Sequence, residues 1–332
     1  MELFGETRAN YLGFAVHASD SPVFEEWSRG VAEDPDVLAW LEQLPQLKRQ
    51  PNLVFAAARW HGLAPTASYA ELRERLLSDD GTIRATIAAR ATQTNEAGRM
   101  ATLLPLHALI AEQEGPLALL EVGASGGLTL YPDRWRHRYL TPDGVVEVGE
   151  EGDPVLECRI AGPVPLPTRR PVVTWRGGLD LNPLDVTDPD TAHWLQTLVW
   201  PEHEDRRRLL RTAVEVARTD PPRIVQGDLL VDLDPVIEEA SRFGRVVVQH
   251  TAVLAYVDPA GRERFTQAML DRVSSGACRW ISNEGAGVLP RISGGLRPPA
   301  GAPGDFVLGL DGRAVAWTHG HGRSLTWIDG SG

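Results

Sequence analysis

The chain has 332 residues, 42% of them hydrophobic and 23% charged, a globular composition that excludes a disordered or collagen-like protein. Thirty-three Lys plus Arg against 45 Asp plus Glu leave a net charge of −12, which argues against gripping phosphate backbones, because counterion release needs a basic surface. Two cysteines, Cys158 and Cys278, have no C-x-x-C spacing, so neither a disulfide framework nor a zinc knuckle is signalled. No stretch approaches the ~20 apolar residues of a membrane span. The opening MELFGETRANYLGFAVHASD lacks the basic start and apolar run of a secretory signal. These features predict a cytoplasmic protein with no membrane or nucleic-acid partner; they leave its oligomeric state open.

Residues 1–114 read as helix. Ser21 is an N-cap before Pro22, and Asp34-Pro35 starts a second helix whose Val37, Leu38 and Leu41 mark one buried stripe. PNLVFAAARWHG, SYAELRERLL and a long run from Thr82 through Ile110 continue the pattern, and His61 reads as a helix C-terminal cap. Within that run Thr94-Asn95-Glu96-Ala97-Gly98-Arg99 is a polar cluster in apolar surroundings: a solvated, capped helix face, or part of a site.

The texture changes after Gly115-Pro116. LALLEVG, PVVTWRGGLDL, PRIVQGDLL, GRVVVQHTAVLAY and ACRWISNE are short apolar runs alternating with helix, as in a parallel sheet covered on both faces. The segment 131–171 interrupts them as a small β-excursion with a proline-rich return. Arg206-Arg207-Arg208 with Arg211 reads as the solvated face of a helix begun at Pro201-Glu202. Gly294 to Gly304 is a loop, and Asp311-Gly312 between alternating runs predicts a terminal antiparallel hairpin.

The first strand ends in Glu121, Gly123, Ser125, Gly126 and Gly127. A glycine turn between strand and helix lets a ligand approach the backbone and meet helix N-terminal amides. G-x-G-x-x-G is absent, and an acid two residues before the first glycine would repel a pyrophosphate and favour a positively charged ligand. Asp180 and Asp228 follow at the ends of the next two strands. Each is either a carboxylate facing ribose hydroxyls in the crevice above the sheet or a residue capping its own turn.

LLEVGASGG, GLDLNP, QGDLL, VVVQHTAVLAY and the terminal hairpin together resemble the class I S-adenosylmethionine-dependent methyltransferase fold. TNEAGR, WRGGLDLNPLDVTD, LVWPE and HGHG resemble, more narrowly, domain-of-unknown-function family 2332, over nearly the whole chain. The resemblance implies an α/β fold: a Rossmann-like, parallel methyltransferase sheet with a C-terminal antiparallel hairpin over residues 115–332, plus an all-helical N-terminal lid and substrate domain over 1–114. It implies S-adenosyl-L-methionine as cofactor, with Glu121 and Gly123 near its methionine and ribose, Asp180 on the ribose hydroxyls and Asp228 at the adenine amino group. The glycine loop reads GASGG where the fold has G-x-G-x-G, and about sixty residues separate Glu121 from Asp180.

Methyl transfer to a small-molecule acceptor needs an aligned nucleophile and removal of its proton. His250, at the end of an apolar run and with its ring expected to point at the crevice, is either a general base or a satisfied structural histidine. Tyr256 and Glu284 occupy comparable positions, Glu284 being a base or a helix N-terminal carboxylate. The cofactor's carboxylate needs a cation. Arg99 is expected to supply it, with Asn95 one turn earlier on the same helix face, over the glycine loop. His319 and His321 lack a neighbouring carboxylate or cysteine, so no metal is expected. Transfer of another sulfonium substituent, cyclisation, and a non-catalytic binding or assembly module are the alternative functions.

Overall fold

The computed structural model describes residues 6–93, 95–298 and 306–328. Thr94 and residues 1–5, 299–305 and 329–332, which include the second half of the Gly294–Gly304 loop, lie outside them. In chain order the elements are α1 (Thr7–His17), α2 (Pro22–Glu33), α3 (Pro35–Glu42), α4 (Pro51–Trp60), α5 (Tyr69–Leu77), α6 (Thr82–Ala89), α7 (Met100–Glu114), β1 (Leu117–Val122), β2 (Arg136–Thr141), β3 (Gly144–Val148), β4 (Val155–Ala161) and β5 (Val173–Asp180). There follow α8 (Pro189–Leu198), α9 (Glu204–Thr219), β6 (Arg223–Gln226), α10 (Leu233–Ala240), β7 (Arg245–Thr251), α11 (Pro259–Ser274), β8 (Arg279–Gly285), α12 (Pro290–Ser293), β9 (Phe306–Leu310), β10 (Arg313–Thr318) and β11 (Ser324–Trp327). None of the described helices is long and apolar enough to cross a membrane.

The chain divides into two compact units, residues 1–94 with 187–211, and residues 95–186 with 212–332. In the first, the helix starts follow the capping residues. Ser21 Oγ accepts from Phe24 N–H, Asp34 Oδ1 accepts from Asp36 and Val37 N–H, and Ser68 and Glu71 form a capping box. Its core is aromatic: Phe24 stacks on Trp27 and meets Phe55 edge-on, with ring centroids 5.5 and 5.1 Å apart. His61 closes α4, as its position after Trp60 predicts. The arginine run lies on α9, which begins at Glu204, and both Arg207 and Arg211 pair with that carboxylate.

The helical run expected over 82–110 is broken. Helix α6 ends at Ala89, Arg90 turns extended, residues 97–99 form one 3-10 turn, and α7 begins at Met100. Asn95 and Arg99 therefore share no helix face. Helix α7 belongs to the sheet unit, and 187–211 to the helical one.

The second unit holds one sheet of eleven strands among the described residues, in the order β3-β2-β4-β11-β10-β9-β8-β7-β1-β5-β6. Its central strands β1, β5, β6, β7 and β8 are parallel neighbours. Counted in chain order they lie 3-2-1-4-5, so the order reverses beside β1, where open α/β sheets bind ligands outside the carboxyl ends of their strands. One face of β1 presents Ala118, Leu120 and Val122 to α10 and α11 through Leu233, Val236, Phe265 and Met269. On the other face of the sheet, α7 packs against β7 and β8.

Two departures from the sequence reading concern this sheet. The 131–171 excursion is part of it, because β11 presents an open edge with which β4 pairs in parallel. Along β4, Leu156, Cys158 and Ile160 are buried and Val155, Glu157 and Arg159 exposed, the alternation of a strand covered on one face. The terminal hairpin is a three-strand meander, β9 to β11.

The hairpin turn itself is as expected. Asp311 and Gly312 both have positive φ, 51° and 82°, the geometry of a two-residue turn matched to strand twist. Asp311 also accepts from Trp280 N–H at 2.9 Å and from Arg279 Nε at 2.7 Å, tying the turn to β8. Asp311→Ala should therefore cost about 1–3 kcal/mol, more than Asp311→Asn, which retains an oxygen and tolerates positive φ. Urea denaturation of the two variants measures the difference.

Candidate functional site

Strand β1 is apolar from Leu117 to Leu120 and then places Glu121 in the interior, 1% exposed. Its Oε1 accepts from the Thr129 hydroxyl; its Oε2 has no hydrogen-bond partner. Burial raises this carboxyl to about 8, against the opposing pull of Thr129 and of the Arg99 charge and with a further push from Asp180. Glu121 stands opposite Gln249 of β7, whose Nε2 donates to Thr129 Oγ1 at 3.2 Å. Gln249 Oε1 in turn lies 2.8 Å from His107 Nε2 on α7. Burial lowers His107 to about 4, so the ring is neutral and meets the amide oxygen as an N–H donor.

Two side chains clamp the glycine loop. Asp180 accepts from Ser125 N–H at 2.7 Å and from Asn182 N–H at 2.8 Å. Asn95 donates to Ala124 O at 2.9 Å and accepts from Leu128 N–H. Asn95 thus lies against the glycine loop as expected, but from an extended segment. Gly123 has φ 67°, and a Cβ there would collide with Val253. Its bareness admits the turn after β7 rather than ligand alone. No α-helix follows the loop. The next element is the 3-10 turn Pro132–Arg134, so the expected helix N-terminal amides are absent from this place.

Arg99 is buried, with Nε donating to Gly320 O at 2.7 Å and Nη1 to Thr251 O and Oγ1 at 3.1 and 3.2 Å. It ties the end of β7 to the turn between β10 and β11. The fork expected for a ligand carboxylate is engaged with these protein oxygens.

The catalytic candidates separate. His250 and Gln249 point to opposite faces of β7, so His250 lies on the α11 side, fully buried against Phe265 and Trp280. Its Nδ1 is 2.8 Å from Glu284 Oε1, which also accepts from Val253 and Leu254 N–H at 3.0 and 3.2 Å. No helix begins at Glu284, which lies within β8; its carboxylate pins the turn after β7. Tyr256 ends the 3-10 turn 254–256 and is 46% exposed. Asp228 accepts from Leu230 N–H at 2.8 Å within its own turn.

His319 Nδ1 accepts from His321 N–H at 3.0 Å, and among the described residues no group of three His, Cys, Asp or Glu is placed to hold a metal. The residues missed from sequence are Thr129, Gln249 and His107. A glutamine within an apolar parallel strand and a histidine within an apolar helix were the available signals, since a buried polar side chain needs partners.

The raised carboxyl sets a pH dependence. Glu121 holds its proton in the fold up to about 8 while the unfolded chain loses it near 4.5, so its contribution to stability is complete below 4.5 and is lost as pH rises through 8. Glu121→Gln, which cannot ionise, should gain on the wild type across that interval, most at its alkaline end. Thermal denaturation at pH 5 and pH 9 reads this; an equal difference at both would contradict it.

No curated protein matches the chain. A family profile described as an uncharacterized protein conserved in bacteria, DUF2332, matches residues 8–327. The chain belongs to that family.

Proposed function

We propose that the protein is a cytoplasmic S-adenosylmethionine-dependent methyltransferase acting on a small-molecule acceptor. The observation that carries this reading is the Glu121 carboxylate, buried at the switch point of a 3-2-1-4-5 sheet with Oε2 lacking any donor. A group that supplies a cation there satisfies it, and the cofactor's methionine ammonium is such a group. Asp180, at the carboxyl end of β5 and bonded to the glycine loop through Ser125 N–H, is the candidate for the ribose hydroxyls. Asn95 shapes the loop between them. Asp228, just after β6, is the candidate for the adenine amino group.

When bound, the cofactor supplies an electrophilic methyl group, and the chain's work is to align the acceptor and exclude water. His250 and Glu284 bind each other beneath α11, which favours a positioning role for both in holding the turn over Gly123. Of the three catalytic candidates, Tyr256 is the exposed one, open to an acceptor. The same observation favours a second reading, a module that binds the cofactor without transferring from it. The acidic net charge supports a small acceptor over a nucleic acid.

Titration calorimetry with S-adenosylhomocysteine tests the assignment. Asp180→Ala removes charge-assisted hydrogen bonds worth about 1.5–3 kcal/mol, roughly ten- to hundred-fold in affinity. Equal affinities for wild type and variant would rule out Asp180 as the ribose acceptor. Formation of S-adenosylhomocysteine from S-adenosylmethionine during turnover of a small-molecule library, read by mass, separates an enzyme from a binding module.

A further inference from the structure

Under α7, four side chains from four separate segments form one line of hydrogen bonds. His107 Nε2 meets Gln249 Oε1, Gln249 Nε2 donates to Thr129 Oγ1, and the Thr129 hydroxyl donates to Glu121 Oε1. His107 and Gln249 are 0% exposed and Thr129 and Glu121 1%, so water does not compete for these bonds. A hydroxyl has a single proton. Because Thr129 accepts from Gln249, its proton goes to Glu121, and that direction suits an ionised carboxylate. Yet the ionised form leaves a charge on Oε2 with no donor, in a site where an uncompensated anion is costly. The geometry prepares Glu121 as an anion and withholds the partner that would stabilise it.

The surrounding charges do not remove the conflict. Arg99, from the 97–99 turn, pulls the carboxyl toward ionisation, while its guanidinium is hydrogen-bonded to Gly320 and Thr251. Asp180, from the end of β5, pushes the other way. At the far end of the line, His107 is neutral, with Asp133 raising its affinity for a proton and burial overriding that effect. Gln249 and Thr129 carry no charge. None of these groups donates a hydrogen bond to Oε2.

We propose that Glu121 is protonated when no cation is present beside it, and that a ligand ammonium arriving at Oε2 displaces this proton, with Thr129, Gln249 and His107 as positioning residues that hold the carboxylate for the exchange. The carboxyl O–H bond breaks, its proton passes to the solvent buffer, and an ammonium N–H donates to the vacated oxygen. The inference rests on the function proposed above only in taking the methionine end of S-adenosylmethionine as that ammonium. It makes cofactor binding a proton-release reaction.

The test is calorimetry of S-adenosylhomocysteine binding to the full chain in buffers of differing ionisation enthalpy. About one proton should be released per ligand bound at pH 6–7, with affinity rising about tenfold per pH unit up to about 8. Glu121→Gln should bind more weakly and lose both the proton release and the pH dependence. Thr129→Val, which deletes the donor to the anion, should move the midpoint upward, and Thr129→Ser should restore it. Binding without proton release and with constant affinity from pH 6 to pH 8 would overturn the inference while leaving the cofactor assignment intact. Absence of any binding would overturn the cofactor assignment, and infrared titration of the ligand-free protein then decides the protonation. A protonated carboxyl band at pH 7 that is missing in Glu121→Gln supports it, and no such band refutes it.

Discussion

A carboxyl group at the end of the central strand governs the organisation of the sheet unit. Glu121 sits where β1 meets both β5 and β7, the position at which the strand order reverses, and it is withdrawn from water. An isolated buried carboxylate is among the most expensive groups to place in an interior, so its neighbours are arranged around it. Thr129 reaches it from beyond the glycine loop, Gln249 stands opposite in register, and His107 completes the line from α7. Asn95 and Asp180 fix the loop that brings Thr129 round. The arrangement satisfies one oxygen and leaves the other without a hydrogen bond.

A second buried carboxylate, Glu284, lies on the opposite face, and its Oε2 likewise has no hydrogen-bond partner. Glu284 Oε1 gathers three donors, from His250, Val253 and Leu254. It thereby holds a turn in which Ala252 has φ 57°, a conformation that L side chains rarely adopt. Val253 of that turn packs on Gly123. The glycine loop is thus fixed from below by Asp180 and Asn95 and from above by a turn whose geometry Glu284 imposes.

Sequence reading recovered what local chemistry dictates. Ser21, Asp34 and Ser68 start helices because their side chains replace missing intrahelical acceptors, and Asp311-Gly312 turns because both residues take positive φ. The apolar runs became the parallel strands. Tertiary pairing was not legible. Nothing in residues 155–161 says that β11 will offer them an edge, and nothing in 90–96 says that Asn95 will leave the helix to bind the glycine loop. At β7 the period of two separates neighbours: because Gln249 faces α7, His250 faces α11, away from Glu121. Glu121, Asp180 and Asn95 were found from motif and spacing, while Thr129, Gln249 and His107 acquire meaning only through contacts made across the sheet.

The account stands or falls on what satisfies Glu121 Oε2. A crystal structure of the protein grown with S-adenosylhomocysteine answers this directly. The account predicts the amino-acid nitrogen of the ligand within hydrogen-bond distance of Glu121 Oε2 and the ribose hydroxyls at Asp180. A ligand bound elsewhere, with Oε2 still lacking a donor or bonded to a protein group that has moved to meet it, would contradict the assignment of this crevice as the cofactor site.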